Sequence, residues 1–247
     1  MDVREAAPAV VTGGSRGIGR AVVERLAAYG APVVFGYATE RARAEEVVEA
    51  VRAAGGSAWA VRADLAEPDG VDRLFAGADE HLGGRLGVLV NNAAVTGRTA
   101  FADASAEEFD RVLAVNARAA LLAMQHAERR MAGGGRIVNI SSVSTAWPAA
   151  DEALYAASKG ALEQLSRVAS RALGPRGITV NTVSPGTTDT DLLRDAVPAE
   201  AREAVAGMTP LGRLGRPEDV AAVVAYLAGP DAAWVTGQNI RADGGLV

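Results

Sequence analysis

Ala7-Pro8-Ala9-Val10-Val11-Thr12-Gly13-Gly14-Ser15-Arg16-Gly17-Ile18-Gly19 is the stretch from which the rest of the chain can be read. A short apolar run ends in a glycine turn. A helical pattern follows, in which Ile18, Val22, Val23, Leu26 and Ala27 share one face. Gly30 should end that helix, and Pro32 lies just beyond it. Strand, glycine turn and helix in this order form a candidate phosphate cradle. Glycines let the backbone approach a pyrophosphate closely, and a helix N-terminus offers free N–H groups and a positive dipole end. Glycine turns after strands also serve packing alone, but the strand before and the helix after favour the phosphate reading. The spacing, Gly13-x-x-x-Gly17-x-Gly19, is a variant of the usual G-x-G-x-x-G.

Outward from this unit, strand and helix patterns alternate regularly. Further strands are expected at Pro32–Tyr37, Ser57–Val61, Leu86–Val90, Arg136–Ile140, Ile178–Val183 and Asn239–Ala242. Between them lie helical patterns over Arg41–Ala54, Pro68–Leu82, Ser105–Met131, Tyr155–Leu173 and Pro217–Ala228. Ser105-Ala-Glu-Glu108 reads as a capping box that opens the third of these. Most strand patterns are short and apolar throughout, as strands buried on both faces should be. The fold class is therefore α/β, a doubly wound parallel sheet of about seven strands with helices on both faces, in one domain over 1–247. The long stretch from Thr187 to Gly215 reads as a functional loop with a short helix over Pro198–Ala206.

A length of 247 residues with 49% hydrophobic side chains is enough for a sizeable core. A formal net charge of −5 argues against nucleic acid or an anionic membrane as the main partner. There is no cysteine, so no disulfide framework, thiolate metal site or thiol nucleophile. Met1-Asp-Val-Arg-Glu5 lacks a basic region followed by an apolar run, so no signal peptide is expected. No apolar run is long enough to span a bilayer, and a cytoplasmic protein is expected. His81 and His126 fall in helical patterns and read as packed or solvated side chains rather than as metal ligands.

The chemistry centres on Tyr155-Ala-Ala-Ser-Lys159. A spacing of four puts a phenol and an ammonium on one helix face, one turn apart. A nearby ammonium should lower the phenol pKa and fit it for general acid or base work on a carbonyl or alcohol. Other suggestive residues end strands, where ligands bind in open α/β sheets: Asp64, Asn91-Asn92, Ser141-Ser142 and Pro185-Gly186. At the end of the second strand, Gly36-Tyr37-Ala38-Thr39 carries no acid to hold a ribose 2′-hydroxyl; the nearest is Glu40, flanked by Arg41 and Arg43, whereas Arg16 sits inside the glycine turn. That favours NADP(H) over NAD(H). A hydroxyl, a phenol and an ammonium near a dinucleotide site point to hydride transfer with a proton relay.

Taken together and in order, these motifs resemble the short-chain dehydrogenase/reductase family, the single-domain Rossmann type, and the resemblance covers almost all of the chain. Thr12 to Gly19 is similar to its T-G-x-x-x-G-x-G, Asp64-Leu65 to its adenine contact, and Asn91-Asn92-Ala93 to its N-N-A-G. Asn116, Ser142, Tyr155 and Lys159 match its catalytic set, and Pro185-Gly186 with Thr190 its P-G-x-x-x-T. Arg216-Pro-Glu-Asp219 and Thr236 to Gly245 resemble the 3-oxoacyl-carrier-protein reductase-like branch. The resemblance implies that Tyr155 donates a proton to a substrate carbonyl and that Ser142 holds its oxygen. Lys159 would lower the Tyr155 pKa and grip the nicotinamide ribose, and Asn116 would hold a water linking Lys159 to solvent. The implied cofactor contacts are Gly13, Ser15, Arg16, Gly17, Ile18, Gly19, Tyr37, Asp64, Leu65, Asn92, Ala93, Tyr155, Lys159, Pro185, Gly186, Thr188 and Thr190, with no metal. Ala94 departs from the family's usual Gly, and Thr188 from its Ile or Val. A homotetramer through the two long helices and the last helix and strand is also implied.

The leading function is NADPH-dependent reduction of a ketone, on a 3-oxoacyl or polyketide-like small molecule or a chain carried by an acyl carrier protein. Arg129, Arg130 and Arg176 are the candidate basic surface for such a carrier, and Arg98 is a candidate contact for an anionic substrate. Trp147 is a candidate wall of the substrate pocket. The alternatives are an NAD(P)-dependent dehydrogenase of a sugar, sterol or other secondary alcohol, and a dinucleotide-binding protein without turnover.

Overall fold

In the computed structural model, which describes residues 7–247, each short apolar run becomes a strand of one parallel sheet. The reading of Met1–Glu5 falls outside the described residues. The strands are β1 (Ala9–Val11), β2 (Val33–Tyr37), β3 (Ala58–Arg62), β4 (Val88–Asn91), β5 (Arg136–Ile140), β6 (Thr179–Pro185) and β7 (Asn239–Ala242), in the order β3-β2-β1-β4-β5-β6-β7. Val10, Leu89, Ile137 and Val180 stand in register across β1, β4, β5 and β6 and face one layer of helices. Their neighbours Val11, Val90 and Val138 face the other. This alternation explains the unbroken apolar runs, because both faces of each inner strand meet helices.

The layer on the Val11 side comprises α1 (Gly17–Ala28), α2 (Arg41–Ala53) and, from the far end of the chain, Pro217–Ala228. The opposite layer is built by α3 (Gly70–Leu82), the long helix whose two limbs are α4 (Ala106–Leu113) and α5 (Ala119–Arg130), and α6 (Ala153–Leu173). The long helix differs from expectation in two ways. Its limbs are joined by a π segment, Ala114–Arg118. Its capping box forms only on one side: Ser105 Oγ accepts from Glu108 N at 3.1 Å, but the Glu108 carboxylate accepts instead from Thr99 Oγ1 at 2.8 Å.

The Thr187–Gly215 segment also carries more structure than expected. It holds α7 (Asp191–Ala196), capped where Thr190 Oγ1 accepts from Leu193 N, and α8 (Ala199–Met208). Its two ends meet in a parallel bridge between Thr188 and Gly215. Pro217–Ala228, α9, follows directly. Among the described residues no helix is long and apolar enough to cross a membrane, and no cluster of acidic and histidine side chains has metal-binding geometry.

Candidate active site

The strand order changes direction between β1 and β4, and a cleft of about 650 Å³ opens above the C-terminal ends of these strands. Its floor is the glycine turn. Gly13 adopts φ +67°, a left-handed conformation, and a Cβ there would lie 2.9 Å from Ala93 Cα. A Cβ on Gly19 would lie 2.1 Å from the Gly13 carbonyl oxygen. The turn is fixed from β4. Thr12 Oγ1 accepts from Asn92 N at 2.9 Å and Ala93 N at 3.0 Å, and Asn92 Nδ2 donates to the carbonyls of Thr12 and Gly13 at 3.1 and 2.9 Å. The N-terminus of α1 carries no side-chain cap and no acid in its first turn. Its free N–H groups and positive end therefore remain for an anion. A glycine turn packed too closely against its own backbone to admit side chains, beside an uncapped helix N-terminus, fits the pyrophosphate of a dinucleotide.

Ser142, Tyr155 and Lys159 line the same cleft. Ser142 lies two residues past β5 and caps the short 3₁₀ turn that follows, its Oγ accepting from Ser144 N at 3.1 Å. Lys159 is 2% exposed, and its Nζ donates to the Ile140 carbonyl at 2.8 Å. Burial pushes the ammonium pKa down to about 8. The Tyr155 phenol shifts opposite to the sequence expectation. Desolvation pushes it up to about 12, with the Glu152 carboxylate adding to the rise and the Ser142 hydroxyl and Arg98 pulling the other way. Burial therefore decides the direction, while Lys159 Nζ donates to β5 and lies 5.6 Å from the Tyr155 ring centroid.

Every expected cofactor contact, from Gly13 and Ser15 through Thr188 and Thr190, lines this one cleft, whereas Asn116 does not. Asn116 sits in the π segment, 1% exposed. Its Oδ1 accepts from Val95 N at 2.8 Å, and its Nδ2 donates to Val95 O at 2.9 Å and Ser158 Oγ at 3.0 Å. These bonds tie the strap after β4 to the turn of α6 that carries Tyr155. Thr188 is buried, and its hydroxyl donates to the Gly186 carbonyl at 2.9 Å. Sequence reading did not find Arg111, Glu152, Leu193 or Val197, which also line the cleft. They lie on helix faces or loops with no local motif, and only the fold brings them together.

The charged residues singled out earlier are mostly paired. Arg16 Nη1 donates to Glu40 Oε1 at 3.3 Å, and Arg43 binds Glu40 and Asp191. Arg98 meets Asp151 and Glu152 at 3.1 and 2.9 Å. Arg130 grips Asp79, and Arg176 donates to the carbonyls of Glu128 and Met131, while Arg129 is exposed. Trp147 is 48% exposed and is not among the lining residues.

A family model described as enoyl-(acyl carrier protein) reductase matches residues 13–247. An uncharacterized oxidoreductase of Methylorubrum extorquens is 44% identical over 248 residues, covering 100% of both chains. Versicolorin reductase 1 of Aspergillus parasiticus is 39% identical over 249 residues, covering 96% of this chain and 95% of its own. Among solved structures, the angucycline C-6 ketoreductase LanV with bound NADP is similar at a TM-score of 0.91 and 43% identity, covering 97% of this chain and 95% of its own. Likeness of this degree along the whole length, over a doubly wound sheet with this cleft, makes the chain a member of the short-chain dehydrogenase/reductase family and an oxidoreductase.

Proposed function

We propose that the protein reduces a ketone of a polyketide-like small molecule to a secondary alcohol, using NADPH. The observation that carries this reading is a phenol and a second hydroxyl, Tyr155 and Ser142, lining the same cleft as a phosphate cradle. With its pKa pushed up to about 12, the Tyr155 phenol holds its proton at neutral pH and stands ready as an acid.

When bound with its pyrophosphate on the glycine turn, the reduced nicotinamide supplies a hydride to the carbonyl carbon. Ser142 Oγ donates a hydrogen bond to the carbonyl oxygen and fixes its direction. Tyr155 gives its proton to that oxygen as negative charge develops there. Lys159 keeps a positive charge behind the phenol, and its bond to Ile140 O holds it in place. Arg16 at the mouth of the glycine turn is the residue we assign to the 2′-phosphate, which distinguishes NADPH from NADH. Asn116 acts by position, through Val95 and Ser158. Two relatives support the choice of substrate and cofactor: one is named for reducing versicolorin, and the other reduces an angucycline at C-6 and was solved with NADP.

A homotetramer acting in the cytoplasm is part of the proposal. Its support is the set of large apolar side chains exposed on outer helix faces, Phe109, Leu121, Val168 and Tyr226.

The test is NADPH oxidation followed by absorbance, against polycyclic aromatic ketones, diketones and 3-oxoacyl thioesters, with NADH in parallel. The expected outcome is turnover of the polycyclic ketones with NADPH preferred. Tyr155→Phe should lower kcat by about 10²- to 10⁴-fold with NADPH affinity little changed. A fully active Tyr155→Phe enzyme would overturn the assignment of the acid.

A further inference from the structure

Arg98 lies on the strap that follows β4, and three bonds fasten it to the turn that starts α6. Its Nη2 donates to Glu152 Oε1 at 2.9 Å, and its Nη1 to Asp151 Oδ2 at 3.1 Å. The next residue closes the joint, with Thr99 N donating to Asp151 O at 3.1 Å. Glu152 is the N-cap residue of α6, three positions before Tyr155, and its side chain is 13% exposed. Its second oxygen accepts from Ala149 N at 3.2 Å, so the carboxylate cannot swing away from the helix without losing a bond at each end. Arg98, Glu152 and Tyr155 line the same cleft.

We propose that Arg98 and Glu152 are a positioning pair: they lock the substrate-side strap onto α6 and balance the charge around the Tyr155 hydroxyl. This rests on the reading of Tyr155 as the group that exchanges the proton. Arg98 from the strap, Glu152 from the turn before α6, Arg111 from α4 and Lys159 from α6 line the cleft with Tyr155, and Asp151 pairs with Arg98. The segment after β5 supplies the neutral Ser141 and Ser142. Glu152 opposes a phenolate electrostatically and Arg98 favours one, in agreement with the directions in which they act on the phenol. Arg98 therefore does two things at once. It holds the strap, and it cancels a carboxylate that would otherwise make Tyr155 harder to ionise.

The experiment is the pH profile of alcohol oxidation by the intact enzyme. The probe is the secondary alcohol that the enzyme makes from its best ketone, with NADP⁺ as the oxidant. In that direction Tyr155 must lose its proton, so the rate climbs with pH and its value at a fixed pH on the rising limb reports on the phenolate fraction. Arg98→Met should lower that rate by about three- to tenfold. Glu152→Gln should raise it by a similar factor. The double variant should lie between them, and Arg98→Lys should stay near the parent. If Arg98→Met does not fold, Arg98→Gln, which keeps neutral hydrogen-bond donors, carries the same prediction. Rates on the rising limb that fall alike in both single variants, or stay put while KM rises, would show a purely structural strap and overturn the inference. An active Tyr155→Phe enzyme would instead overturn the reading on which it rests, so the two failures are distinguishable.

Discussion

Lys159 is a charge in a place that disfavours charge. It is 2% exposed, its Nζ bonds a carbonyl, and burial alone accounts for its pKa of about 8 against an ordinary 10.5. Below about pH 8 the native ammonium is charged, and the desolvation cost is fully present. Between there and 10.5 the unfolded chain holds a proton that the native state does not, so stability rises with pH. Above 10.5 neither state holds it, and the contribution is flat. The cost below pH 8 is on the order of 3 kcal/mol. Lys159→Met keeps the length and removes the charge, but leaves the Ile140 carbonyl without its donor, which costs about 1–2 kcal/mol. At pH 6.5 the net gain should raise Tm by a few degrees, while ketone reduction falls steeply. At pH 10.5 the gain should disappear or reverse. Calorimetry at the two pH values checks it, and a lower Tm at both would show that the ammonium is better solvated than its burial implies. A similar tension holds at Tyr155. The four-residue spacing was enough to place phenol and ammonium on one turn, but it could not say that Lys159 Nζ would turn toward β5.

At the level of elements, the π segment is the joint on which the site depends. Asn116 brackets the Val95 peptide from both sides and donates to Ser158, whose hydroxyl in turn donates to the Tyr155 carbonyl at 2.7 Å. Asn116→Ala would remove the partners of a part-buried N–H and C=O together, at about 2–4 kcal/mol. The expected outcome is a lower Tm and a KM for ketone that rises more than NADPH affinity falls. Melting curves and the separate constants check it, and equal loss on both would show that the segment serves only the core. None of this was written in residue type. Ala114-Val-Asn-Ala-Arg118 has the composition of an ordinary helix, and the bonds that Asn116 makes from it run to residues 21 and 42 positions away. The failed half of the capping box has the same origin, since Thr99 competes for the Glu108 carboxylate. The strands, the glycine turn and the ends of α1 and α6 were legible because apolar runs, glycines and helix stops are local signals. The Thr12–Asn92 clamp was not, because it joins residues 80 apart. Helix α8 was foreshadowed by Pro198, whereas α7 is only six residues long and left no periodic pattern to read.

At the scale of the molecule, the parallel sheet divides at β1 and β4, and the cleft spans both halves. The cofactor-side half and the segment after β6 are also joined on the surface by one chain of charges: Arg16 to Glu40, Glu40 to Arg43, Arg43 to Asp191 at the start of α7, and Asp191 to Arg194. Glu40 is the key member, because it neutralises Arg16 where the proposed function needs that guanidinium for a 2′-phosphate. Binding NADPH would then exchange one partner of Arg16 for another, whereas NADH would leave the chain as it stands. Glu40→Gln removes the competitor and leaves Arg16 in place. The groups are part-exposed, with side-chain exposures of 45% and 40%, so the pair is weak and its removal should matter only modestly. NADPH and the fragment 2′,5′-ADP should each bind about two- to fivefold more tightly, and NADH and 5′-AMP should bind as before. The gain should shrink at high salt, because the charges are screened. Calorimetric titration with the two fragments reads this without any turnover. Tighter 2′,5′-ADP binding with unchanged 5′-AMP would establish Glu40 as the brake on cofactor choice. Equal weakening of both would mean that Glu40 chiefly holds α2 against α7.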